Sequence, residues 1–550
     1  MEQRERAVGR VIAIAGSSVT CSIGAYVDHD PADGGTDAAI RIGSLVKAEM
    51  PGSTVFGLVS ALRIENVDAR PSSAGSSSNE KLPSSDETYI AEIDLYGQVV
   101  SGHESDGPGR FERGVSTYPA LGQPIFATTS DDLRLVYARP ADSSIRVGTV
   151  LQGQDLPAYL VTDDLLGKHF AVLGTTGGGK SCAVTLVLRA VLDAHPKGHI
   201  VVLDPHDEYS GCFADAAECL NLNNINLPYW LLNFEETAAV LASNEGRDRE
   251  IEADILRPAL LAARKSGTVQ GRKFLNVTVD TPVPYRLTEL IRHLDQAMGR
   301  LNKPDDSRPY LRLKARLETL TSDKRFSFMF GSPRVQDSMV EVMARLLRIP
   351  NVDKPMTIID LSGIPADIVD VVVSLLCRLI FDFSVWSEQP ERHPLLLVCE
   401  EAHRYIPADD VQSFEPTRKA IARIAKEGRK YGVSLGLVTQ RPSEISTGVL
   451  SQCNTIIAMR MSNEQDQEFV RRTLPENALG LLNALPSLQT REAIAIGEGA
   501  PIPVRFRFDN LPVARQPRGS QVKFSSAWRS EDALVGVTAR TVDRWRRHKR

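Results

Sequence analysis

The hydrophobic pattern of this 550-residue chain changes its period near residue 165. Before that point, short β-branched runs at residues 10–15, 54–59 and 88–95 are separated by Gly, Pro and Asp. Many short strands with turn signals are typical of a small barrel or sandwich. We therefore predict a β-rich domain over residues 1–150.

After residue 165, continuous apolar runs alternate with segments of helical spacing. Such runs are typical of parallel strands covered on both faces, and the alternation favours an α/β fold with an open parallel sheet. The predicted strands cover residues 169–174, 199–204, 356–361, 395–399, 434–439 and 455–459. Residues 212–345 show helical spacing and no motif, which predicts an inserted helical subdomain. We thus expect an α/β core in two parts, residues 151–211 and 346–500, followed by a tail at 501–550.

Composition narrows the class of protein. Hydrophobic residues make up 42% and charged residues 24%, as in ordinary globular proteins. No apolar run approaches the ~18–20 residues of a membrane helix, and no signal peptide is evident. Seven scattered cysteines form neither a disulfide framework nor a zinc pattern. We expect a cytoplasmic protein that does not enter the membrane.

Charge is unevenly distributed within a net charge of −5. Residues 1–150 hold 13 Lys/Arg against 20 Asp/Glu, a balance of −7, and residues 501–550 hold 12 against 4, a balance of +8. A basic tail on an acidic body indicates contact with nucleic acid or an acidic partner. A solvated or subunit-bridging tail explains the same charges equally well.

A phosphate-binding motif follows the first predicted α/β strand. Residues 174–181 read Gly-Thr-Thr-Gly-Gly-Gly-Lys-Ser and fit G-x-x-x-x-G-K-[ST] between a strand and a helix. The glycines let backbone N–H groups surround phosphates, the lysine reaches the β- and γ-phosphates, and the serine hydroxyl binds Mg²⁺. A glycine-rich turn with a solvated lysine is the alternative. The predicted nucleotide-contacting residues are Gly174, Thr176, Gly177, Gly178, Gly179, Lys180, Ser181 and Cys182.

Two further strands end in polar residues that suit ATP hydrolysis. Glu400 and Glu401 follow strand 395–399, and Gln440 follows strand 434–439. Glu400 stands at the metal-assisting position, Glu401 would polarise the attacking water, and Gln440 would sense the γ-phosphate. A helix N-cap turn could explain the acids, and a simple turn could explain Gln440.

The strand at 199–204 also ends in polar residues. Asp204 or Glu208 could contact a bridging water, or His206 could contact a neighbouring subunit. A polar turn without a role is equally compatible with the sequence.

A basic segment lies between the Glu pair and Gln440. Residues 417–430 hold six basic side chains on a predicted helix. One arginine could act as an arginine finger on an adjacent subunit, and other side chains could contact DNA phosphates. A solvated charged face is the alternative. The candidate DNA-contacting residues are Arg418, Lys419, Arg423, Lys426 and Lys430.

Together these motifs resemble the HerA family of hexameric DNA translocases, relatives of FtsK. The resemblance rests on the phosphate-loop region, Asp-Pro-His-Asp-Glu-Tyr at 204–209, Glu-Glu-Ala-His at 400–403, Glu-Gly-Arg-Lys-Tyr-Gly at 427–432 and Gln-Arg-Pro at 440–442. It implies RecA-like P-loop NTPase cores in a homo-hexamer, with ATP and Mg²⁺ between subunits and Arg429 as the finger. It also implies an N-terminal HAS-barrel.

The same resemblance implies double-stranded DNA as substrate and a partner protein. Archaeal relatives work with the NurA nuclease in DNA end processing, and bacterial relatives are paired with nuclease-like or sirtuin-like effectors in anti-phage defence. The tail at 534–550 would brace a neighbouring subunit, with a free tail or a DNA-reading helix as alternatives. Two functions remain open at this stage: an ATP-driven DNA motor, or a nucleotide-gated ring scaffold that controls an effector.

Overall fold

The structure is a computed structural model. It describes residues 7–23, 40–66, 87–100, 109–153, 155–175, 177–243, 246–268, 273–301, 304–331, 335–350, 353–409, 414–473, 479–517, 525, 528–529 and 536–546. The chain divides into two compact units, Met1–Pro517 and Arg518–Arg550.

The first sheet is antiparallel and closes on itself. Its strands are β1 Ala7–Ala15, β2 Ser18–Ile23, β3 Leu45–Met50, β4 Ser53–Asn66, β5 Glu87–Val100, β6 Phe111–Arg113 and β7 Pro124–Ala127. They pair in the order β2-β1-β7-β3-β4-β5-β6, and β2 also pairs with β5, so six strands form a barrel and β6 extends it. Closure removes the unpaired edges of an isolated sheet. The predicted small barrel is confirmed.

The second sheet has eleven strands in the order β12-β13-β11-β14-β15-β10-β16-β17-β18-β8-β9. Its strands are β8 Ser144–Val150, β9 Pro157–Val161, β10 Phe170–Leu173, β11 Ile200–Asp204, β12 Ala217–Leu220, β13 Met356–Asp360, β14 Leu395–Cys399, β15 Val433–Thr439, β16 Thr455–Met459, β17 Glu492–Gly497 and β18 Val504–Phe508. The seven strands from β12 to β16 in this order are parallel, and the remaining four add antiparallel pairs.

Helices connect these strands. They are α1 Ser130–Val136, α2 Thr162–Gly167, α3 Lys180–Ala194, α4 Phe234–Leu241, α5 Gly246–Ser266, α6 Leu287–Met298, α7 Arg308–Ser322, α8 Ser327–Phe330, α9 Met339–Leu347, α10 Ala366–Trp386, α11 Glu415–Tyr431, α12 Thr447–Leu450, α13 Glu464–Thr473, α14 Leu479–Leu482 and α15 Val537–Arg546. Helix α15 belongs to the second unit, and its described residues are almost all exposed. Within the described residues, no helix is both long and apolar enough to span a lipid bilayer.

Three parts of the second sheet lie where the sequence pattern placed something else. Strand β8 falls within residues 1–150, the predicted β-rich domain, but it pairs with β18 and β9 rather than with the barrel. Strand β12 falls within the stretch expected to be helical, and α4–α9 follow it. The β17–β18 pair was not predicted, because its antiparallel pairing joins distant parts of the chain.

The central strands β11, β14, β15 and β10 position the site. Every residue of these strands is buried, as expected for a sheet covered on both faces. Leu203 is level with Cys399, and Leu173 is level with Thr439. The residues that follow these strands therefore meet at one edge of the sheet.

Candidate nucleotide-binding site

The phosphate loop connects β10 to α3. Gly177 and Gly179 have φ values of +79° and +94°, which a residue with a Cβ rarely adopts. A Cβ on Gly174 would lie 2.8 Å from Met459 Cβ on the adjacent strand, so this position requires glycine. Thr176 lies outside the described residues. The loop therefore has the conformation in which backbone N–H groups can converge on a phosphate.

Lys180 is the first residue of α3 and is directed to the acidic pair. Its Nζ donates to Glu400 Oε1 at 2.7 Å and to Glu401 Oε1 at 3.4 Å. Burial alone would lower the pKa of Lys180, but the carboxylates of Glu400, Glu401 and Glu208 outweigh it and raise that pKa. Lys180 is therefore held as a buried cation.

Both carboxylate oxygens of Glu400 accept a hydrogen bond. Oε2 accepts a 2.7 Å hydrogen bond from the Tyr209 hydroxyl, while Oε1 faces Lys180. Burial raises the pKa of Glu400, and Lys180 and Tyr209 oppose that shift. The Tyr209 hydroxyl is also buried, and burial beside Glu400 raises its pKa far above the ordinary value. Tyr209 thus acts as a hydrogen-bond donor that fixes the carboxylate plane.

Glu401 adopts the left-handed conformation with φ +50°. Such a backbone is unfavourable for a residue with a side chain, and it recurs at functional sites. Oε1 accepts from Gln440 Nε2 at 2.7 Å. Oε2 is buried and accepts no hydrogen bond from a described residue, although His403 Nδ1 lies 3.3 Å away. A buried carboxylate oxygen without a donor is suited to accept one from a water molecule.

Ser181 and the 204–209 loop complete the site. Ser181 Oγ donates to Glu208 Oε2 at 2.5 Å. Asp204 accepts backbone N–H bonds from His206 at 3.1 Å and Tyr209 at 2.9 Å. Burial raises the pKa of Asp204 to about 6, and these backbone donors oppose the shift. The His206 side chain is exposed.

The oxygen atoms of the site suit a hard divalent cation. Ser181 Oγ, Glu208 and Glu400 are the oxygen donors that Mg²⁺ prefers, and Mg²⁺ takes only one or two carboxylates beside phosphate and water. Cys182, the next residue of α3, is partly buried, and burial with the Glu208 charge raises the pKa of its thiol. A neutral thiol at this position is compatible with a neighbouring phosphate.

The predicted finger and DNA-contacting residues lie on α11, away from this site. Arg429 is exposed and lies three residues before Gly432, the C-cap of α11. Strand β15 begins at the next residue, so Arg429 lies at the sheet edge opposite the phosphate loop. Lys419 pairs with Glu415 at 3.0 Å and Glu235 at 3.6 Å. The basic face of α11 comprises the five candidate DNA-contacting residues and Arg429. Part of this face is thus occupied by ion pairs within the chain.

Other members of this face differ in exposure and contacts. Arg423 pairs with Asp382 at 3.6 Å and lies over the Phe381 ring. Arg418 is partly buried, Lys430 lies over the Tyr431 ring, and Lys426 is exposed. Lys426 and Arg429 form no ion pair within the described part of the chain.

Three residues of the network had no predicted role. Tyr209 fixes Glu400, while Thr439 and His403 form a second layer behind Glu401. His403 Nδ1 lies 3.0 Å from Thr439 Oγ1, which also accepts from the Arg441 backbone N–H at 3.0 Å. Burial lowers the pKa of His403 despite the nearby Glu401 charge. The motifs Asp-x-x-x-Glu-Tyr and Glu-Glu-Ala-His were the available signal for Tyr209 and His403, and Thr439 directly precedes Gln440.

This arrangement can be compared with known proteins. Residues 145–380 match the family model described as the central domain of helicase HerA. The DNA double-strand break repair helicase HerA of Pyrococcus furiosus is 25% identical over 468 residues, covering 78% of this chain and 78% of that protein. The chain is similar to HerA helicases over most of its length. The resemblance inferred from the motifs is confirmed.

A second relative and a solved structure are also similar to this chain. The probable HerA helicase of Methanocaldococcus jannaschii is 27% identical over 413 residues, covering 69% of this chain and 78% of that protein. Among solved structures, VirB4 of Thermoanaerobacter pseudethanolicus aligns with 68% of this chain and 98% of its own, at 16% identity and a TM-score of 0.47. Because it matches the HerA central domain and carries a complete phosphate loop, the protein is an ATPase.

Proposed function

We propose that this protein is an ATP-driven translocase of double-stranded DNA that works as a ring of six subunits. The observation that carries the proposal is the buried network in which Lys180 contacts Glu400 and Glu401, and Gln440 contacts Glu401. These four residues follow three neighbouring parallel strands and the phosphate loop. They combine a phosphate cation, a water-polarising acid and a γ-phosphate sensor in one place.

Each side chain has a distinct chemical task in hydrolysis. Lys180 exchanges its carboxylate partners for the β- and γ-phosphates of ATP. Glu401 accepts a hydrogen bond from the attacking water at its free oxygen and takes up the proton as the water attacks. Gln440 orients that carboxylate and couples it to the end of β15. Mg²⁺, held by Ser181 and Glu400, would neutralise charge on the phosphates.

The position of Arg429 supports assembly into a ring. Because it lies at the sheet edge opposite the phosphate loop, it cannot serve the ATP site of its own chain. A head-to-tail ring joins two different surfaces of neighbouring subunits, and we propose that this edge of one subunit faces the ATP site of the next. Arg429 would then stabilise the transferring phosphoryl group from the neighbouring subunit as an arginine finger.

The DNA substrate is proposed from the relatives and from the charge of α11. The Pyrococcus furiosus relative bears the name of a DNA double-strand break repair helicase. The exposed members of the basic face, such as Lys426 and Lys430, would contact phosphates in the ring's pore without reading sequence.

The partner is proposed to be a nuclease-like or sirtuin-like effector, in DNA end processing or anti-phage defence. The acidic balance of residues 1–150, which include the barrel, supports a protein-docking role for this end of the chain. The same observation favours a second candidate function, a nucleotide-gated scaffold that controls the effector without moving DNA.

Steady-state ATPase measurements on the purified protein, with its mass determined in the same buffer, separate these functions. The motor predicts a six-subunit species whose hydrolysis rises at least about tenfold with linear duplex DNA. A ring that hydrolyses ATP at the same rate without DNA would favour the scaffold. Glu401→Gln protein is the control, because contaminating ATPases would survive that substitution.

A further inference from the structure

Arg491 lies against the phosphate loop although no motif points to it. It immediately precedes β17, and its backbone N–H is 3.5 Å from Gly178 O. A Cβ on Gly179 would be 3.8 Å from Arg491 N and 4.0 Å from Arg491 Cγ. The residue therefore packs on the last two glycines before Lys180, on the side of the loop away from the acidic pair.

The backbone of Arg491 is in the left-handed region, with φ +71°. Glycine adopts this conformation freely, whereas a residue with a long side chain does so only at a cost. Residues held in such conformations cluster at ligand-binding sites, where the surrounding structure compensates for the strain. The side chain at this position is therefore a reason to look for a ligand.

The guanidinium is tethered but not neutralised. Nη2 donates to Phe508 O at 2.8 Å, and Nε is buried without an acceptor. The adjacent carboxylate, Glu492, is already paired with Arg505 at 2.8 Å and Arg507 at 2.9 Å. Among the described residues no carboxylate pairs with Arg491, so its charge is available to an anion.

This charge acts on the first turn of α3. Burial and Glu208 raise the pKa of the Cys182 thiol, and the positive charge of Arg491 opposes that shift. Cys182 follows Ser181, where the backbone turns from the phosphate loop into the helix. A nucleotide bound on the loop would place its phosphates near Lys180 and the first turn of α3. The phosphates would then be within reach of two cations, Lys180 on one side and Arg491 on the other.

We propose that Arg491 binds the nucleotide in cis, at a phosphate that ATP and ADP share. This inference rests on the proposed nucleotide site. It assigns two arginines different tasks: Arg491 would bind both nucleotides from within the subunit, whereas Arg429 would act on the γ-phosphate from the neighbour. Arg491 would thus set nucleotide affinity rather than the hydrolysis step.

The test uses substitution by glycine in the full-length protein. Arg491→Gly keeps the backbone conformation, because glycine accepts a positive φ. Arg348→Gly is the matched control, since Arg348 also has a positive φ, of +55°, but pairs with Glu218 on another part of the sheet. Fluorescent ATP and ADP analogues are titrated into each protein with Mg²⁺ present, and thermal unfolding is recorded without nucleotide.

We expect Arg491→Gly to weaken binding of ATP and ADP alike, by roughly 10- to 100-fold, as for loss of a charged hydrogen bond. Its nucleotide-free melting temperature should not fall, and Arg348→Gly should bind like the wild type. Unchanged affinity in Arg491→Gly would overturn the inference and leave the proposed function standing. Loss of ATP binding alone would also overturn it, because the contact would then be to the γ-phosphate. A wild-type protein that binds neither nucleotide would overturn the proposed function itself.

Arg491→Gln provides a second readout. Glutamine keeps a long side chain that can still donate to Phe508 O but carries no charge. Weakened binding in this variant supports a charge-based contact with the nucleotide, and wild-type binding in it contradicts one.

Discussion

Lys180 Nζ lies 2.7 Å from Glu400 Oε1 at the meeting point of the phosphate loop and β14. Both side chains are almost fully buried. Each would be a buried charge without a partner if the other were removed. A nucleotide must compete with Glu400 and Glu401 for this ammonium group. In the proposed mechanism, binding of ATP is therefore coupled to a rearrangement of Glu400 and Glu401.

Replacing Lys180 tests this relationship. Lys180→Ala should weaken ATP binding by about 100-fold or more, because the phosphates lose their main cation while two carboxylates remain beside them. Removal of one partner of a buried ion pair should also lower the free energy of unfolding by about 3–5 kcal/mol. Nucleotide titration and urea denaturation measure the two effects. Lys426→Ala is the matched control, and wild-type ATP affinity in Lys180→Ala would refute the site.

Glu401 should control the chemical step rather than binding. Glu401→Gln keeps an oxygen that can accept from Gln440 but cannot take a proton, so ATP should still bind while hydrolysis falls by roughly 10²–10⁴-fold. Single-turnover kinetics with bound ATP measures the step directly. Glu444 is exposed in the loop that follows β15, so Glu444→Gln should hydrolyse ATP at the wild-type rate. Unchanged turnover in Glu401→Gln would move the catalytic role to another acid, with Glu208 next.

The pH dependence of ATP hydrolysis should reflect the protonation of the Asp204 carboxylate. Its pKa is raised to about 6 by burial, so it is ionised at pH 7.5 and becomes protonated as the pH falls through 6. The protonated form accepts fewer backbone N–H bonds, which should loosen the turn that carries Tyr209 to Glu400. We therefore expect ATPase activity to decline on acidification with a midpoint near 6.

Asparagine at this position should remove that decline. Asp204→Asn cannot titrate, so its activity, although lower than that of the wild type, should stay flat between about pH 7.5 and 5.5. Asp207→Asn, in the same loop, should keep the wild-type profile. If the activity of Asp204→Asn still declines on acidification, another group is responsible for the pH dependence.

A mixing experiment tests the trans role of Arg429. Rings of Lys180→Ala alone or Arg429→Ala alone should be inactive. Equal mixing should leave about one interface in four with both an intact lysine site and an intact neighbouring arginine, so activity should partly return. Arg292→Ala, at an exposed arginine of α6 with no proposed role, should give active rings before mixing when it replaces Arg429→Ala. No recovery in mixed rings, with mixing verified by mass, would contradict a finger from the neighbour.

The sequence predicted the site better than it predicted the sheet. Lys180, Glu400 and Gln440 could be placed together because the carboxyl ends of adjacent parallel strands share one edge. The β17–β18 pair and the neighbouring strands β8 and β9 could not be placed, since antiparallel pairing between residues 148 and 508 depends on long-range packing rather than on local pattern. Arg491 was missed for the same reason: its place beside Gly179 follows from how β17 pairs with β16.

ATP-driven movement along duplex DNA is tested most directly by displacement of a triplex-forming oligonucleotide from a linear duplex. Wild-type protein with ATP and Mg²⁺ should displace the third strand, and it should not do so with ADP. Glu401→Gln protein should bind the same duplex without displacing the strand. A ring that hydrolyses ATP on this DNA yet leaves the third strand in place would contradict the motor.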